Sequence, residues 1–350
     1  MGHPAQGVTG LDWRQLNRAV LSRQMLLERA RLPLHRAVER MSAVQAQYIP
    51  SAYVGLWSRV AGFERSQLTS ALERGSIVQG TLMRGTIHLV SRADYWPLAA
   101  AIREPMQEWW LRVTRRVRSR EEMERLATRA RAVLAGGPLK RRDLVDELGI
   151  DTQTWNGLGF WVAMVRVPPS GTWESRRADL YDLATDWVGP DSSDPADGVD
   201  LLIRRYVAGF GPATRDDIQA FTGLSLAAID GALARSRWKT YEWEGPPLLD
   251  LPGGKVPGAD VSAPVRFLGT WDATLLVHCR RASILPEEFR DRIFHIKTPH
   301  SFNTFLVDGQ VRGVWRQDGS QIGLEPFQPI PRRFQHDLNE ERERLGRFLR

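Results

Sequence analysis

One short pattern occurs twice in this chain without a gap, and it limits the fold more than any other feature. Gly137-Pro138-Leu139-Lys140-Arg141-Arg142-Asp143-Leu144 runs on to Gly149, and Gly211-Pro212-Ala213-Thr214-Arg215-Asp216-Asp217-Ile218 runs on to Gly223. Both fit G-P-x-x-R-x-D-[LI]-x4-G. In the second copy Gly-Pro stops one helix and Thr214 caps the next. The closing glycine of each copy suits a left-handed residue at the end of a short helix. Another helical stretch follows each, from Thr152 and from Ser225 to Arg235. Helix, turn, short helix, turn, helix is the helix-turn-helix plan.

A wing is expected after each copy. Trp238 to Trp243, a Gly-Pro-Pro turn and Leu248 to Leu251 read as a two-stranded wing. Phe160 to Val167, a Pro-Pro-Ser-Gly turn and Thr172-Trp173-Glu174 read as its equivalent in the first copy. Residues Gly189 to Gly198 read as a linker. The N-terminal part reads as a third unit without the Gly-Pro signature: helices from Asp12 to Leu27, from Leu34 up to Gln45 and Gln47, and from Ser66 to Arg74, then one strand from Thr81 to Val90. Strands dominate from Pro264, with Asp308-Gly309 as a hairpin turn, and read as a small barrel or sheet. A charged helix from Arg333 to Leu349 closes the chain. The expected class is α+β, with three tandem winged-helix units (1–120, 121–190, 191–260), a β-barrel (261–332) and a terminal helix (333–350).

The net charge is +7, and 44 of the 48 basic residues are arginine. Guanidinium binds phosphate through a planar two-pronged fork, so such a surface suits nucleic acid. A GC-rich genome accounts for the arginine bias equally well. The plausible phosphate contacts are Lys140, Arg141 and Arg142, Arg115 and Arg116, Arg215, and Arg280 and Arg281; a solvated face explains each nearly as well. One cysteine, Cys279, can build no disulfide, zinc cluster or iron–sulfur cluster. No cofactor is expected, and a reducing cytoplasm, on the nucleoid, is the natural setting. Neither a secretory signal pattern nor an 18-residue apolar run is present.

Met83 precedes a polar face made by Arg84, Thr86 and His88, which can line one cavity with Gln45 and Gln47. Two amides cannot act as a general base. They can hold a water and aim a carbonyl dipole at developing positive charge. A purine alkylated at N7 is cationic and its glycosidic bond is already weakened, so positioning alone suffices there. Two residues apart, the amides share a face only where the chain is extended or a helix has ended; Pro50 disfavours helix at Ile49, so a helix C-terminus is a feasible place for the pair, where amides can also merely satisfy backbone groups. His88 alone is more often structural, and Asp272 reads as a cap or as a phosphate-site organiser, with the structural reading favoured. No Walker loop, Rossmann fingerprint, HExxH or paired CxxC occurs, and no lysine lies near the pair to form a Schiff base.

Leu16-Asn17-Arg18, Val44-Gln45-Ala46-Gln47, Met83 to Val90, Arg205-Tyr206 with Gly211 to Thr214, and Leu306 to Gly309 with Gly313-Val314-Trp315 resemble, in order, the winged-helix DNA glycosylases of the AlkZ/AlkX (YcaQ) superfamily. The resemblance spans nearly the whole chain. It implies three winged helices and a barrel in a C shape around duplex DNA, excision of N7-alkylated purines, and unhooking of interstrand crosslinks. It also implies that Gln45 and Gln47 are the catalytic Gln-x-Gln motif, in the form found in the branch that protects antibiotic producers, and that the protein is a monomer. Arg84 and His88 are carried as DNA contacts. A regulator that binds DNA without chemistry and a protein that sequesters the toxin are the competing expectations.

Overall fold

Asp12 starts the first helix, α1 (Trp13–Arg23), by accepting from the backbone of Gln15 at 2.7 Å while the Gln15 side chain returns to Asp12. In this computed structural model, which describes residues 10–115, 117–276, 281–295, 300–319 and 321–350, the next helix departs from expectation. α2 (Leu34–Arg40) stops short of the glutamines. Ser42 and Ala43 take φ of 62° and 84°, which a helix cannot continue through. The chain then extends as β1 (Val44–Gln45), and α3 (Ile49–Arg59) begins almost at once with Pro50 in its first turn. Proline belongs there, because its missing N–H would be unpaired in any case. Pro50 therefore opens a helix rather than ending one, and the glutamines sit before a helix, not at the end of one.

α4 (Arg65–Glu73) leads to β2 (Ile77–Thr81) and β3 (Ile87–Ser91). The single strand expected over Thr81–Val90 is instead the end of a hairpin, turned by the 3₁₀ segment Met83–Gly85 with Arg84 at φ 56°. α5 (Arg92–Val113) holds 22 residues despite Pro97 and Pro105.

In the first copy, α6 (Arg120–Leu134), β4 (Leu139–Lys140), α7 (Arg141–Leu148) and α8 (Thr152–Leu158) follow the expected plan. Its wing is β5 (Met164–Arg166) and β6 (Leu180–Leu183). Thr172-Trp173-Glu174 is not the second strand. It lies in a loop gathered by the Ser170 hydroxyl, which accepts from the backbone of Asp179 and Leu180 at 2.7 and 3.1 Å. After α9 (Ala184–Val188), α10 (Pro195–Phe210) starts inside the expected linker, capped by Asp194. The second copy gives α11 (Arg215–Thr222) and α12 (Leu226–Ala234), then the wing β7 (Lys239–Tyr241) and β8 (Leu248–Asp250). Gly149 and Gly223 close the short helices with φ of 62° and 76°.

β1, β3, β2, β5, β6 and β4, in that order, form one antiparallel sheet. Val44, Leu89, Gln79, Arg166, Tyr181 and Leu139 make a single row across it. The N-terminal hairpin and the first wing are thus one surface, crossing the division expected near residue 120. α5 and α10 pack along one another, and their apolar faces share a core with both copies.

The C-terminal part contains β9 (Arg266–Leu268), α13 (Ala273–Leu276), α14 (Arg290–Ile293), β10 (Phe294–His295), β11 (His300–Ser301), β12 (Thr304–Val307), β13 (Gln310–Asp318) and β14 (Gln321–Pro326). The four-stranded sheet runs β14, β13, β12, β9 and stays open; among the described residues no closed barrel forms. Asp308 and Gly309 make the two-residue turn with φ of 49° and 78°, as that dipeptide requires. α15 (Arg332–Leu349) returns to the N-terminal part, where Phe348 stacks on Trp57 and Glu341 pairs with Arg29.

Candidate functional site

The glutamine segment is pinned to β3. Gln45 pairs with His88 in the sheet, and Ala46 donates its N–H to the Ile87 carbonyl at 2.8 Å. The Ile87 N–H donates to Gln47 Oε1 at 3.0 Å. Arg84 Nη2 donates to Gln45 Oε1 at 3.1 Å. Both amides are therefore fixed through their carbonyl oxygens, each of which keeps a second lone pair. They do not line one cavity. Gln47 is exposed at the edge of a cleft of about 700 Å³, whereas half-buried Gln45 faces a separate cavity of about 20 Å³ beside Gln24, Arg59 and Asp272. Arg84 joins them, since it holds Gln45 and lines the large cleft.

Arg84 is half-buried. It also donates to the Phe221 carbonyl and lies 5.2 Å from the Phe221 ring centroid, which ties the cleft to the second copy. Burial pulls its pKa down to about 10. His88 is 2% exposed, with Nδ1 3.0 Å from the Thr86 carbonyl. Burial, with Arg84 nearby, pulls its pKa down to about 3, so it is neutral near pH 7. The His88 ring, expected as a DNA contact, is packed inside the sheet and does not line the cleft.

Between α5, the first copy and its wing, the cleft is walled by Trp109 and Val113 on one side and by Arg141, Arg166, Arg176 and Arg177 on the other. Trp109 remains 40% exposed and Val113 50%. Arg141 stacks over Trp155 at 5.6 Å. The carboxylate in the cleft, Asp179, pairs with Arg177 at 2.9 Å.

Asp272 is structural. It binds Arg59 through both oxygens at 2.9 and 2.8 Å and accepts from the Thr274 hydroxyl. Burial pushes its carboxyl up, but Arg59 and Thr274 outweigh this and hold it below the usual carboxylate range. Among the expected phosphate contacts, Lys140 and Arg142 are exposed at the start of α7, and Arg142 lies 3.8 Å from Asp146. Arg215 is engaged with Asp230 through both its Nε and Nη2. Arg115 is exposed. Arg116 and Arg280 lie outside the described residues, and for Arg281 only the backbone, in a short 3₁₀ turn, is described. Sequence reasoning missed Arg166 and Trp109. A lone arginine inside Met164-Val165-Arg166-Val167 and a tryptophan doublet at 109–110 were the available signals.

The arginine-rich cleft thus lies against the helix-turn-helix of the first copy. A family model, DNA glycosylase AlkZ-like, matches residues 38–348, and the chain belongs to that family of DNA glycosylases, enzymes acting on N-glycosyl bonds. It is 23% identical to the interstrand DNA cross-link repair glycosylase of Streptomyces sahachiroi, over 90% of this chain and 91% of that one. It is also similar to the solved structure of the Streptomyces sahachiroi DNA glycosylase AlkZ, with a TM-score of 0.82, 20% identity and 97% of each chain covered. Among the described residues no helix is long and apolar enough to cross a membrane.

Proposed function

We propose that this protein is a monofunctional glycosylase that hydrolyses the N-glycosidic bond of N7-alkylated purines in duplex DNA, with Gln45 and Gln47 as the residues of the reaction. One observation carries this reading. Gln47, held by the Ile87 N–H, presents an oriented amide at the mouth of a cleft whose carboxylate is already paired and whose neighbouring imidazole is buried. Among the described residues the cleft offers no unpaired carboxylate and no exposed imidazole as a general base. It suits a substrate whose leaving group needs no proton. The C1′–N9 electron pair passes to the purine and cancels its charge. Water bonds to C1′ and releases its proton to solvent. The free lone pair of Gln47 orients that water, and Gln45, with Arg84, fixes the segment against the developing sugar cation.

The cleft volume falls in the range that holds a drug-sized molecule rather than a bare base. Together with exposed Trp109, it fits bulky adducts or crosslinks of a genotoxic natural product, cleaved without full rotation of the nucleotide into a closed pocket. Lys140, Arg141 and Arg142 at the start of α7 grip the backbone, where the helix terminus also favours an anion. The protein acts as a monomer in the cytoplasm.

The test is base release from a duplex bearing one N7-alkylguanine. Gln45→Ala/Gln47→Ala should abolish release while leaving duplex affinity within about threefold, because neither amide carries the phosphate charge that dominates binding. Release that survives the double substitution refutes the assigned roles. Binding to a defined promoter with no release from any alkylated substrate favours the regulator.

A further inference from the structure

Five arginines of the described chain are buried: Arg18, Arg23, Arg59, Arg166 and Arg266. Four have a carboxylate. Arg18 pairs with Asp308, Arg23 with Asp250, Arg59 with Asp272 and Arg266 with Glu341. Among the described residues no carboxylate pairs with Arg166. It is 8% exposed, in the middle of the six-stranded sheet, with Gln79 on one side and Tyr181 on the other. Its Nη1 donates to the Thr81 hydroxyl at 3.1 Å, its side chain is hydrogen-bonded to Tyr181 with the guanidinium 4.8 Å from that ring's centroid, and its Nε, like those of Arg59 and Arg266, is buried with no partner. Burial pulls its pKa down. An unpaired buried charge is costly enough that folds seldom keep one without a use.

Arg166 lines the cleft that Gln47 borders. Arg84, Arg141, Arg176 and Arg177 line it too, against the single carboxylate of Asp179. This surplus conflicts with a cationic lesion. A positively charged purine brought beside five guanidinium groups is repelled unless an anion lies between them.

We propose that the cleft seats a backbone phosphate of the lesion-bearing strand, with Arg166 as its deep contact and Arg141 at its rim. This rests on the reading of the chain as a glycosylase of alkylated DNA. The phosphate supplies the counter-charge that Arg166 lacks in the free protein and screens the arginines from the cationic base. Recognition of the strand and tolerance of the lesion's charge thereby become one event.

The experiment compares wild type with Arg166→Met and Arg166→Lys. Affinity for an undamaged duplex is followed by fluorescence anisotropy across a salt series, alongside thermal unfolding without DNA. Arg166→Met should weaken binding on the order of 10-fold and shrink the slope of log K against log salt by about 0.9, one phosphate contact. Its melting temperature without DNA should hold or rise, since an uncompensated charge is gone. Arg166→Lys should keep the slope and bind several-fold more weakly, lacking the fork.

An unchanged slope with Arg166→Met overturns the proposal. So does a fall in melting temperature with affinity intact, which would make Arg166 a structural residue. Should Arg166→Met fail to fold, Arg166→Lys decides: affinity equal to wild type overturns the proposal. Because undamaged duplex is the probe, loss of the glycosylase reading would appear separately, as wild type that binds normally and releases no base.

Discussion

The two copies of the repeat fold alike and are spent differently. At the start of its short helix the second copy has Thr214, Arg215, Asp216 and Asp217; the first has Lys140, Arg141, Arg142 and Asp143. Thr214 and Asp217 cap each other's backbone, and two acids occupy the first turn, where the helix dipole favours them. Arg215 is tied to Asp230. The first copy keeps one acid, Asp143, in its first turn but gives up the cap. Lys140 makes no side-chain cap, and three cations crowd an N-terminus that disfavours them. The second copy satisfies its own helix start, and the first leaves an exposed cationic one. The shared glycines and the short helix set the architecture. Within the four positions at its start, cap and charge differ.

The contrast breaks most visibly if the first copy is given the charge of the second. Lys140→Glu/Arg142→Glu should weaken duplex binding on the order of 100-fold near 0.1 M salt and lower the salt slope by about two. Binding within twofold of wild type by anisotropy would mean that this helix does not meet DNA. A smaller effect sharpens the other half. Thr214→Ala should cost about 1–2 kcal/mol of stability in denaturant unfolding and leave duplex affinity unchanged. A loss of affinity would put the second copy on the DNA as well. The smallest change exchanges the roles: Lys140→Thr should supply the missing cap and raise stability by about 0.5–1 kcal/mol, while binding weakens several-fold. A variant that gained stability at no cost in binding would remove the trade-off.

Whatever depended on neighbours in the chain was legible beforehand. The closing glycines, the Thr214 cap and the Asp308-Gly309 turn are local devices, and each stands where its chemistry placed it. Longer-range features were hidden. Pro50 reads as a stop or as a first-turn residue depending on which side the helix lies, and only the left-handed backbone at Ser42 and Ala43 decides. The second strand of the first wing was misplaced because its partner, β5, is separated from it by a loop that Ser170 organises from within. The open C-terminal sheet reflects the same limit, since closure depends on pairings that no local signal records. At the candidate site, the proximity of Arg84 to the Gln45 segment was legible from sequence. The division of Gln45 and Gln47 between two cavities, and the packing of His88 inside the sheet, were not.

The six-stranded sheet carries the glutamine segment on one margin, β1, and Lys140 on the other, β4. Five strand-to-strand steps of about 4.8 Å separate the two margins by about 24 Å. At about 3.4 Å per step of duplex, that is roughly seven base pairs. The sheet is a ruler whose graduations are hydrogen-bonded strands, stiffer than any interdomain tether. Under the proposed function, a duplex gripped at Lys140 would meet the glutamine segment at a set offset of length, independent of the sequence between.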